Sequence, residues 1–414
     1  MNLDRDDAPR GALAHLRVLD LSRVLAGPWA GQVLGDLGAE VIKVEAPERG
    51  DDTRLWGPPF LHEADGTPES AAYFSACNRN KRSITIDFSR PEGADLVRKL
   101  AAGCDIVIEN FKVGGLGKYG LDYESLSKIN PRLIYCSVTG FGQTGPYAHR
   151  AGYDFLVQGM GGLMSVTGQA DGDPGAEPMK VGVAVSDLFT GMYAAVSILA
   201  AVAHRDRTGE GQHIDCALLD SQVAMLANQS ANWLVGAVEP TRLGNNHPNV
   251  VPYRVYPVCD GHIIVACGND GQFRRLCGAL GRPEAADDPR FDSNAARVAN
   301  RDALDEMLTG RLLLLGRDEA IATLETAGVP CGPINTLPEV FADKQIKARG
   351  LAIAIERDDG VSVPGVAFPA RLSLTPATYR TAPPRLGQDT DAILRDELGL
   401  DDRARATLRA SGVV

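Results

Sequence analysis

The sequence holds one carboxylate whose setting would suit a nucleophile. Asp154 stands directly before the apolar, glycine-rich segment 155–162. An aspartate in front of an apolar run commonly caps the helix that follows, and it then lies near the positive end of that helix's dipole. A carboxylate held there, partly out of water, can also attack an acyl group. This segment leaves both interpretations open, a structural cap and a covalent nucleophile.

Two polar segments could bind anions. Segment 78–83 carries Arg79, Lys81 and Arg82 just before a predicted strand, and it is either a solvated loop or a clamp for phosphate oxygens. Segment 244–249 is either a simple turn or a mobile loop whose backbone N–H groups face a ligand. For a carboxylate ligand the candidates are Arg54, Arg79 and Arg150, and the sequence does not choose among them.

Several familiar kinds of site lack their signatures. Segment 140–145 matches G-x-G-x-x-G, but the first β-α-β unit, where a dinucleotide fingerprint belongs, has only Ala-Gly-Pro at 26–28. The sequence has no G-x-S-x-G elbow and no Walker loop. Its eight cysteines form no C-x-x-C pair and its seven histidines no H-x-x-x-H pattern, so we expect no metal site.

Composition indicates a globular protein of 414 residues with a net charge of −11. No Lys/Arg-rich run occurs, which argues against nucleic acid as a partner. Segment 1–7 is acidic, unlike a signal peptide, and the longest apolar helix candidate, 192–203, is well short of the ~20 residues that span a bilayer. We therefore expect a cytoplasmic protein that does not enter the membrane.

The order of predicted elements favours an α/β fold. Apolar strands alternate with helices through the first part of the chain, which predicts a doubly wound, mostly parallel sheet. The strands are predicted at 16–21, 41–44, 83–87, 106–108 and 133–138, and the helices at 29–37, 92–101 and 187–207. We expect a large Rossmann-like domain in 1–205, a linker in 206–225, a small α+β domain in 226–330 and a C-terminal segment, 331–414, that returns to the large domain.

The chain resembles the class III CoA-transferases, the group that includes formyl-CoA, carnitine-CoA and succinyl-CoA transferases. The resemblance covers nearly the whole chain and depends on the order of its motifs. These are segments 18–28, 38–45 and 80–83, followed by Glu-Asn-Phe at 109–111, Thr-Gly-Phe-Gly at 139–142 and Tyr-Asp at 153–154.

The resemblance implies a site and a mode of assembly. Asp154 would be the catalytic nucleophile, and CoA itself is a substrate, with no permanently bound cofactor and no metal. The chain would form an interlinked homodimer that acts on acyl-CoA and carboxylic acids. Contacts to substrate and CoA are implied for Leu25, Ala26, Asn80, Lys81, Asn110, Phe111, Lys118, Thr139, Gly140, Tyr153, Gly244, Asn245, Asn246 and His247.

The resemblance also implies a mechanism, in which Asp154 attacks a donor thioester, passes through an anhydride and an aspartyl-CoA thioester, and hands CoA to an acceptor acid. Two alternatives remain, a 2-methylacyl-CoA racemase of the same fold and a non-catalytic CoA-binding protein. The racemases carry a histidine where this chain has Tyr153, although Asp187 matches their catalytic aspartate. Segments 247–253 and 268–273 look more like the transferases that use succinyl-CoA and dicarboxylates.

Overall fold

The computed structural model describes residues 11–414, so the acidic segment 1–7, which we expect not to be a signal peptide, lies outside the described residues. The chain divides into two compact units. Unit 1 comprises the described residues up to Leu163, then Val181–Gly236 and Lys347–Val414; unit 2 comprises Met164–Lys180 and Ala237–Ile346. These limits differ from the sequence-based ones at 226 and 330, because turn residues mark where a segment ends and not which core it packs against.

The strands and helices follow in chain order. The strands are β1 (Arg17–Asp20), β2 (Glu40–Glu45), β3 (Phe60–His62), β4 (Pro68–Ala71), β5 (Lys81–Thr85), β6 (Ile106–Glu109), β7 (Ile134–Thr139), β8 (Gln212–Ala217), β9 (Tyr253–Val258), β10 (Gly261–Ala266), β11 (Cys331–Pro333), β12 (Ala352–Glu356) and β13 (Ser362–Val366). The helices are α1 (Ala26–Asp36), α2 (Ala72–Ser75), α3 (Pro91–Ala102), α4 (Tyr123–Ile129), α5 (Asp154–Met160), α6 (Val185–Thr208), α7 (Leu218–Met225), α8 (Asn228–Gly236), α9 (Asp270–Ala279), α10 (Asn294–Ala299), α11 (Arg301–Leu312), α12 (Arg317–Thr326), α13 (Leu337–Ala342), α14 (Lys344–Ala348), α15 (Thr390–Asp396) and α16 (Asp402–Ala410).

Unit 1 is built on a parallel sheet, as the alternation of strands and helices predicts. Its strand order is β5-β2-β1-β6-β7-β8, and every neighbouring pair is parallel. The chain winds outward from β1 in one direction and then from β6 in the other. Because the winding reverses between β1 and β6, a crevice opens there at the carboxyl ends of the strands, which is where such sheets bind ligands.

Apolar side chains cover both faces of this sheet. Val18 of β1 packs with α1 and α6 on one face, while its neighbour Leu19 packs with α3 and α15 on the other. The two helices on the first face approach closely, since a Cβ on Gly191 of α6 would lie 2.6 Å from the carbonyl oxygen of Ala26. A glycine at this position therefore lets α6 pack against the start of α1.

Helix α6 is longer than the apolar stretch 192–203 that the sequence indicates. Its 24 residues make it long and apolar enough, by length and composition, to cross a membrane, which corrects that estimate. The same test is passed by core helices, and Ala194, Ile198 and Ala201 of α6 are buried in the core of unit 1. We describe α6 as a core helix because these contacts hold it against the sheet.

The sequence predicts a hairpin in which apolar runs 253–256 and 263–266 flank Asp260-Gly261, followed by helices at 272–280, 300–314 and 318–327, and unit 2 contains these elements. Strands β9 and β10 pair antiparallel, β11 adds to β10, and α9, α11 and α12 supply the apolar side chains that cover this sheet. The two-residue connection of the hairpin is Cys259-Asp260, because Gly261 already pairs with Val258. The Asp-Gly signal thus locates the hairpin correctly and misplaces its turn by one residue.

Candidate active site

A cleft of about 470 Å³ opens in unit 1 at the carboxyl ends of β1, β6 and β7. This is the crevice that the strand order predicts. Eight of the residues that the sequence assigns to substrate and CoA contribute to its lining: Leu25, Ala26, Asn110, Phe111, Lys118, Thr139, Gly140 and Tyr153. The structure thus collects these residues from three separate loops into one surface.

The loop after β1 is held in a strained conformation. Val24 has a φ of 71°, a backbone conformation that β-branched residues rarely adopt. The side chain of Asn110 fixes the preceding residue, since it accepts a hydrogen bond from the backbone N–H of Arg23 at 2.9 Å and donates one to its carbonyl oxygen at 2.7 Å. The Asn110 amide therefore shapes the cleft by holding its wall.

A buried carboxylate anchors the same loop from below. The N–H of Val24 donates to Asp51, which also pairs with the buried ammonium of Lys43 at 3.0 Å. Burial by itself raises the pKa of Asp51, but Lys43 and hydrogen bonds from Thr53 outweigh it and lower the pKa to about 2. Asp51 therefore stays ionised and keeps this anchor over the physiological pH range.

The cationic segment 78–83 is neither a solvated loop nor a phosphate clamp in this structure. Lys81 is fully buried and donates to Asp20 at 2.8 Å, to the Pro28 carbonyl oxygen at 2.9 Å and to Asn78 at 2.9 Å. Strand β5 begins at Lys81 and not at residue 83. The ion pair with Asp20 allows the Lys81 side chain to be buried at this position. The structure does not place Lys81 in the cleft.

Asn80 and Arg79 form a second buried cluster around Asp36. Arg79 makes a two-pronged contact with Asp36 at 2.8 and 2.6 Å, and the Asn80 amide donates to the same carboxylate at 2.8 Å. Both side chains are buried. Like Lys81, Asn80 lies outside the cleft lining, and its hydrogen bonds tie β5 to the region around Thr378.

The carboxylate of Asp154 is held by three donors. Its Oδ1 accepts hydrogen bonds from the backbone N–H groups of Ser186 at 2.8 Å and of Asp187 at 3.4 Å. Its Oδ2 accepts from the Gln158 side-chain amide at 2.7 Å. The N-cap of α5 is Tyr153, with Asp154 as the first helical residue, so the predicted cap is wrong for this helix and the carboxylate lies instead on the first turn of α6.

A close backbone contact brings Asp154 to the cleft. A Cβ on Gly140 would lie 2.5 Å from the Cα of Gly152, so the segment before α5 packs directly on the end of β7. Tyr153, next to Asp154, lines the cleft and is 65% exposed. The side chain of Asp187 also lines the cleft. Asp154 therefore lies between two cleft residues, one adjacent in sequence and one hydrogen-bonded to it.

Two other acidic groups near Asp154 have shifted pKa values. Burial, with the Asp154 charge adding to it, raises the pKa of Asp187 to about 7. Burial also raises the pKa of Tyr73 to about 12, with contributions from the charges of Asp187 and Asp154. These shifts show that the Asp187 carboxyl group and the Tyr73 hydroxyl are poorly solvated and close enough to Asp154 to be influenced by its charge.

Another part of the cleft combines aromatic rings with cations. Phe88 contacts Phe111 and Tyr119 edge to face, with ring centroids 5.5 and 5.7 Å apart. Lys112 and Lys118 are exposed and line the same region. Rings suit a planar base, and ammonium groups suit phosphate oxygens, so the chemistry of this region fits a nucleotide-containing ligand.

The remaining predicted residues, Gly244, Asn245, Asn246 and His247, belong to unit 2. Gly244 has a φ of 58°, and His247 is fixed by a hydrogen bond from its N–H to the Tyr253 carbonyl oxygen at 3.2 Å. Among residues 11–414, no group of three or more His, Cys, Asp or Glu side chains is placed to hold a metal ion.

The sequence did not single out Gln158, Arg23 or Lys112. Gln158 follows Asp154 by four residues, the spacing at which helix side chains meet, so helical periodicity was the available signal. Arg23 and Lys112 line the cleft only because the sheet order brings the loops after β1 and β6 together.

Comparisons with known proteins show the family of the chain. The profile of CoA-transferase family III matches residues 13–390. The succinate–glutarate CoA-transferase of Agrobacterium fabrum is 56% identical, covering 93% of this chain and 95% of the relative, and the succinyl-CoA:glutarate CoA-transferase of Mus musculus is 45% identical, covering 97% and 90%. The crystal structure of a CAIB/BAIF family protein from Brucella suis superposes with a TM-score of 0.82 at 55% identity, covering 94% and 100%. The chain belongs to CoA-transferase family III and is an enzyme that transfers coenzyme A.

Proposed function

We propose that this enzyme moves CoA reversibly between succinyl-CoA and glutarate through a covalent intermediate on Asp154. The observation that carries the chemistry is the Asp154 carboxylate, held by two backbone N–H groups and the Gln158 amide beside the cleft. The name of the relative that is 56% identical supports the choice of acids.

The first step uses the oxygen of Asp154 that has one hydrogen bond. Oδ2 attacks the carbonyl carbon of the donor thioester, the C–S bond breaks, and CoA leaves as a thiolate. The product is a mixed anhydride between Asp154 and the donor acid. Because acylation of a carboxylate in water is readily reversed by hydrolysis, the partly buried position of Asp154 favours transfer over loss to water.

In the second step the CoA thiolate attacks Cγ of Asp154. Negative charge then develops on Oδ1, where the N–H groups of Ser186 and Asp187 already point. Loss of one donor of this kind costs a factor of about 10² to 10³ in rate. The donor acid departs with Oδ2 and leaves an aspartyl-CoA thioester. The acceptor acid then reverses both steps, and one of its oxygens stays on Asp154.

For CoA itself we propose the cleft surface assembled from the three loops. Lys112 and Lys118 would contact phosphate groups, and the Phe111 ring would contact the base, while Leu25, Ala26, Thr139 and Gly140 line the remainder. Asn110 acts through the Arg23 loop that it holds. CoA is bound as a substrate, and no permanent cofactor is required.

One single-turnover experiment tests the covalent step. Enzyme is mixed with succinyl-CoA and glutarate labelled with heavy oxygen, and the peptide that contains Asp154 is weighed. We expect one heavy oxygen in Asp154 and glutaryl-CoA as product, and hydroxylamine should modify the same residue during turnover. An Asp154→Ala variant should fold and transfer nothing. Unlabelled Asp154 in active enzyme, or an active Asp154→Ala variant, would refute the mechanism.

A second assay separates transfer from the racemase alternative. With a 2-methylacyl-CoA in deuterated water and no acceptor acid, a racemase exchanges the α-proton, whereas a transferase does not. Tyr153 stands where a racemase carries its catalytic histidine, and a phenol is a poorer base than an imidazole for removing an α-proton. The family and the relatives named above support transfer.

We also propose an interlinked homodimer. Unit 1 exposes large apolar side chains on α5, α6 and α8, and contiguous apolar surfaces of this kind mark interaction sites. They include Phe155, Leu156, Met192, Tyr193, Val196, Trp233, Leu234 and Val235. Sedimentation should give twice the chain mass of 44.0 kDa, and Val196→Glu should weaken association; a wild-type monomer would contradict the dimer. A cytoplasmic location stays a prediction.

A further inference from the structure

Three arginines are candidates for binding a substrate carboxylate, and the structure eliminates two. Arg54 is buried and bonded to both oxygens of Glu45, at 2.8 and 2.7 Å. Arg79 is buried and bonded to both oxygens of Asp36. Each also donates to a backbone carbonyl oxygen, Arg54 to that of Pro384 and Arg79 to that of Val366, and neither lines the cleft. Only Arg150 of the three lines the cleft.

The environment of Arg150 leaves its hydrogen-bond donors available. Its guanidinium carbon lies 4.7 Å from the ring centroid of Tyr147 and 5.2 Å from that of Phe141. Stacking of this kind uses the face of the guanidinium and leaves the in-plane N–H groups free for a two-pronged contact. Nη2 is 3.9 Å from the Met160 sulfur, a weak acceptor, and within residues 11–414 no carboxylate lies at ion-pair distance.

The carboxylates around the cleft indicate a role for the charge of Arg150. A dicarboxylate acceptor brings two negative charges toward Asp154, and Asp187 lines the same cleft. Without a nearby cation, the approach of such an acid is opposed by repulsion from Asp154. Arg23, another arginine of the lining, pairs with Asp52 at 3.3 Å, and Lys112 and Lys118 lie on the loop after β6. Arg150 is four residues before Asp154, on the segment held by the Gly140–Gly152 contact.

We propose that Arg150 binds the carboxylate of the dicarboxylic acid that does not react, in the donor thioester and in the acceptor acid alike. The proposal rests on the proposed function, because it assumes that both acids carry a second carboxylate. Arg150 is then the residue that makes the enzyme select dicarboxylates over monocarboxylates, by a charge-assisted contact that a methyl or ester group cannot make.

The test compares glutarate with its monomethyl ester, which keeps the length of the acid and removes the distal charge. In a covalent mechanism with two half-reactions, kcat/KM for the acceptor reports the acceptor's own half-reaction. Arg150→Gln should lower kcat/KM for glutarate by about 100-fold and that for the ester by less than about twofold, as loss of a charged hydrogen bond predicts. Arg150→Lys should give an intermediate loss, because it keeps the charge without the fork.

Arg290→Gln serves as the matched control, since Arg290 is an exposed arginine stacked on Phe291, 4.9 Å away, in unit 2. Arg290→Gln should leave kcat/KM for glutarate and for its monomethyl ester at the wild-type values. Equal losses for glutarate and the ester in Arg150→Gln, or no loss for either, would overturn the proposal. A wild-type enzyme that transfers CoA to neither glutarate nor succinate would instead refute the proposed function. The wild-type rates therefore test the proposed function, and the ratio of the two losses in Arg150→Gln tests the role of Arg150.

Discussion

Oδ1 of Asp154 lies 2.8 Å from the backbone nitrogen of Ser186, so a carboxylate that belongs to α5 caps the first turn of α6. The N-cap position of α6 is Ala184, whose side chain has no acceptor, and the unpaired N–H groups of the first turn need one. Capping and the proposed covalent chemistry therefore use the same contact. The backbone N–H groups at the start of α6 that Asp154 caps are the same groups that would stabilise an oxyanion on Oδ1.

Replacement of Gln158 should slow transfer without preventing binding. Gln158→Leu removes the donor to Oδ2 of Asp154, the oxygen on which negative charge develops when the donor acid leaves the anhydride. We expect kcat to fall by about 10²-fold while KM for the thioester changes little. The partly buried N–H of Val181 also loses its hydrogen bond to Gln158, which should cost about 0.5–1.5 kcal/mol in the free energy of unfolding. Steady-state kinetics and chemical denaturation measure the two effects. Gln212→Leu, at an exposed position, is the control; an unchanged kcat in Gln158→Leu would contradict this role.

The protonation of Asp187 should depend on Asp154. Burial is the larger cause of the raised pKa, about 7, and the Asp154 charge is the second. Asp154→Asn removes that charge, so the pKa of Asp187 should fall while remaining above its usual range. Carbon-13 NMR of labelled aspartate carboxyl groups follows this titration, with Asp187→Asn identifying the signal. Asp154→Glu keeps the charge and should leave the pKa near 7. Equal midpoints in Asp154→Asn and wild type would show that the two carboxylates do not interact.

Local patterns predicted the sheet well because each strand depends on its own apolar residues. The β-α-β unit and the hairpin of unit 2 follow from alternation and turn residues, whereas the cleft residues at the ends of β1, β6 and β7 come only from the resemblance to the family. The start of α1 does not follow, since the proline at 28 favours a turn and the sequence predicts the helix only from residue 29. The structure puts Pro28 in the first helical turn, where no N–H partner is needed, so proline costs nothing there.

Long-range ion pairs explain what the sequence could not show. A run of cations is normally solvated, yet Lys81 and Arg79 are buried because Asp20 and Asp36 meet them from other elements. Their partners lie 61 and 43 residues away, and no local pattern connects them. The contacts of Asp154 with Ser186 and Asp187 are hidden from the sequence for the same reason.

The buried position of Lys81 separates it from the lysines of the cleft. Lys81→Met leaves the buried Asp20 carboxylate without its ion-pair partner, which should cost about 3–5 kcal/mol in the free energy of unfolding. Lys118→Ala should change stability by less than about 0.5 kcal/mol and raise KM for the CoA thioester about tenfold. Denaturation and kinetics on both variants check this contrast.

A second variant keeps that contrast testable if Lys81→Met does not fold. Asp20→Asn combined with Lys81→Met leaves no buried charge in the pair, and it should recover part of the lost stability. A stable Lys81→Met enzyme with a raised KM for the thioester would show instead that Lys81 contacts CoA.

Stability should fall as the pH rises through the range in which Glu109 ionises. Burial raises the pKa of Glu109 to about 7, although hydrogen bonds from Ser137 and from the Phe111 N–H oppose it. The folded state therefore binds more protons than the unfolded state between the ordinary carboxyl pKa, 4.5, and about 7. The free energy of unfolding should decrease across that window by about 3 kcal/mol, and the loss is complete above it.

Glu109→Gln removes this titration and keeps an oxygen that can accept from the Phe111 N–H. The variant should be more stable than wild type at pH above about 7, by up to the same amount, and should lose this part of the pH dependence. Urea denaturation at a series of pH values measures both slopes, with Glu92→Gln on the exposed face of α3 as the control. Phe111 lines the cleft, and the glutamine side chain keeps the hydrogen bond that holds its N–H. KM for the thioester in Glu109→Gln should therefore stay near the wild-type value. Parallel pH slopes in Glu109→Gln and wild type would show that Glu109 ionises at the same pH in the folded and unfolded states.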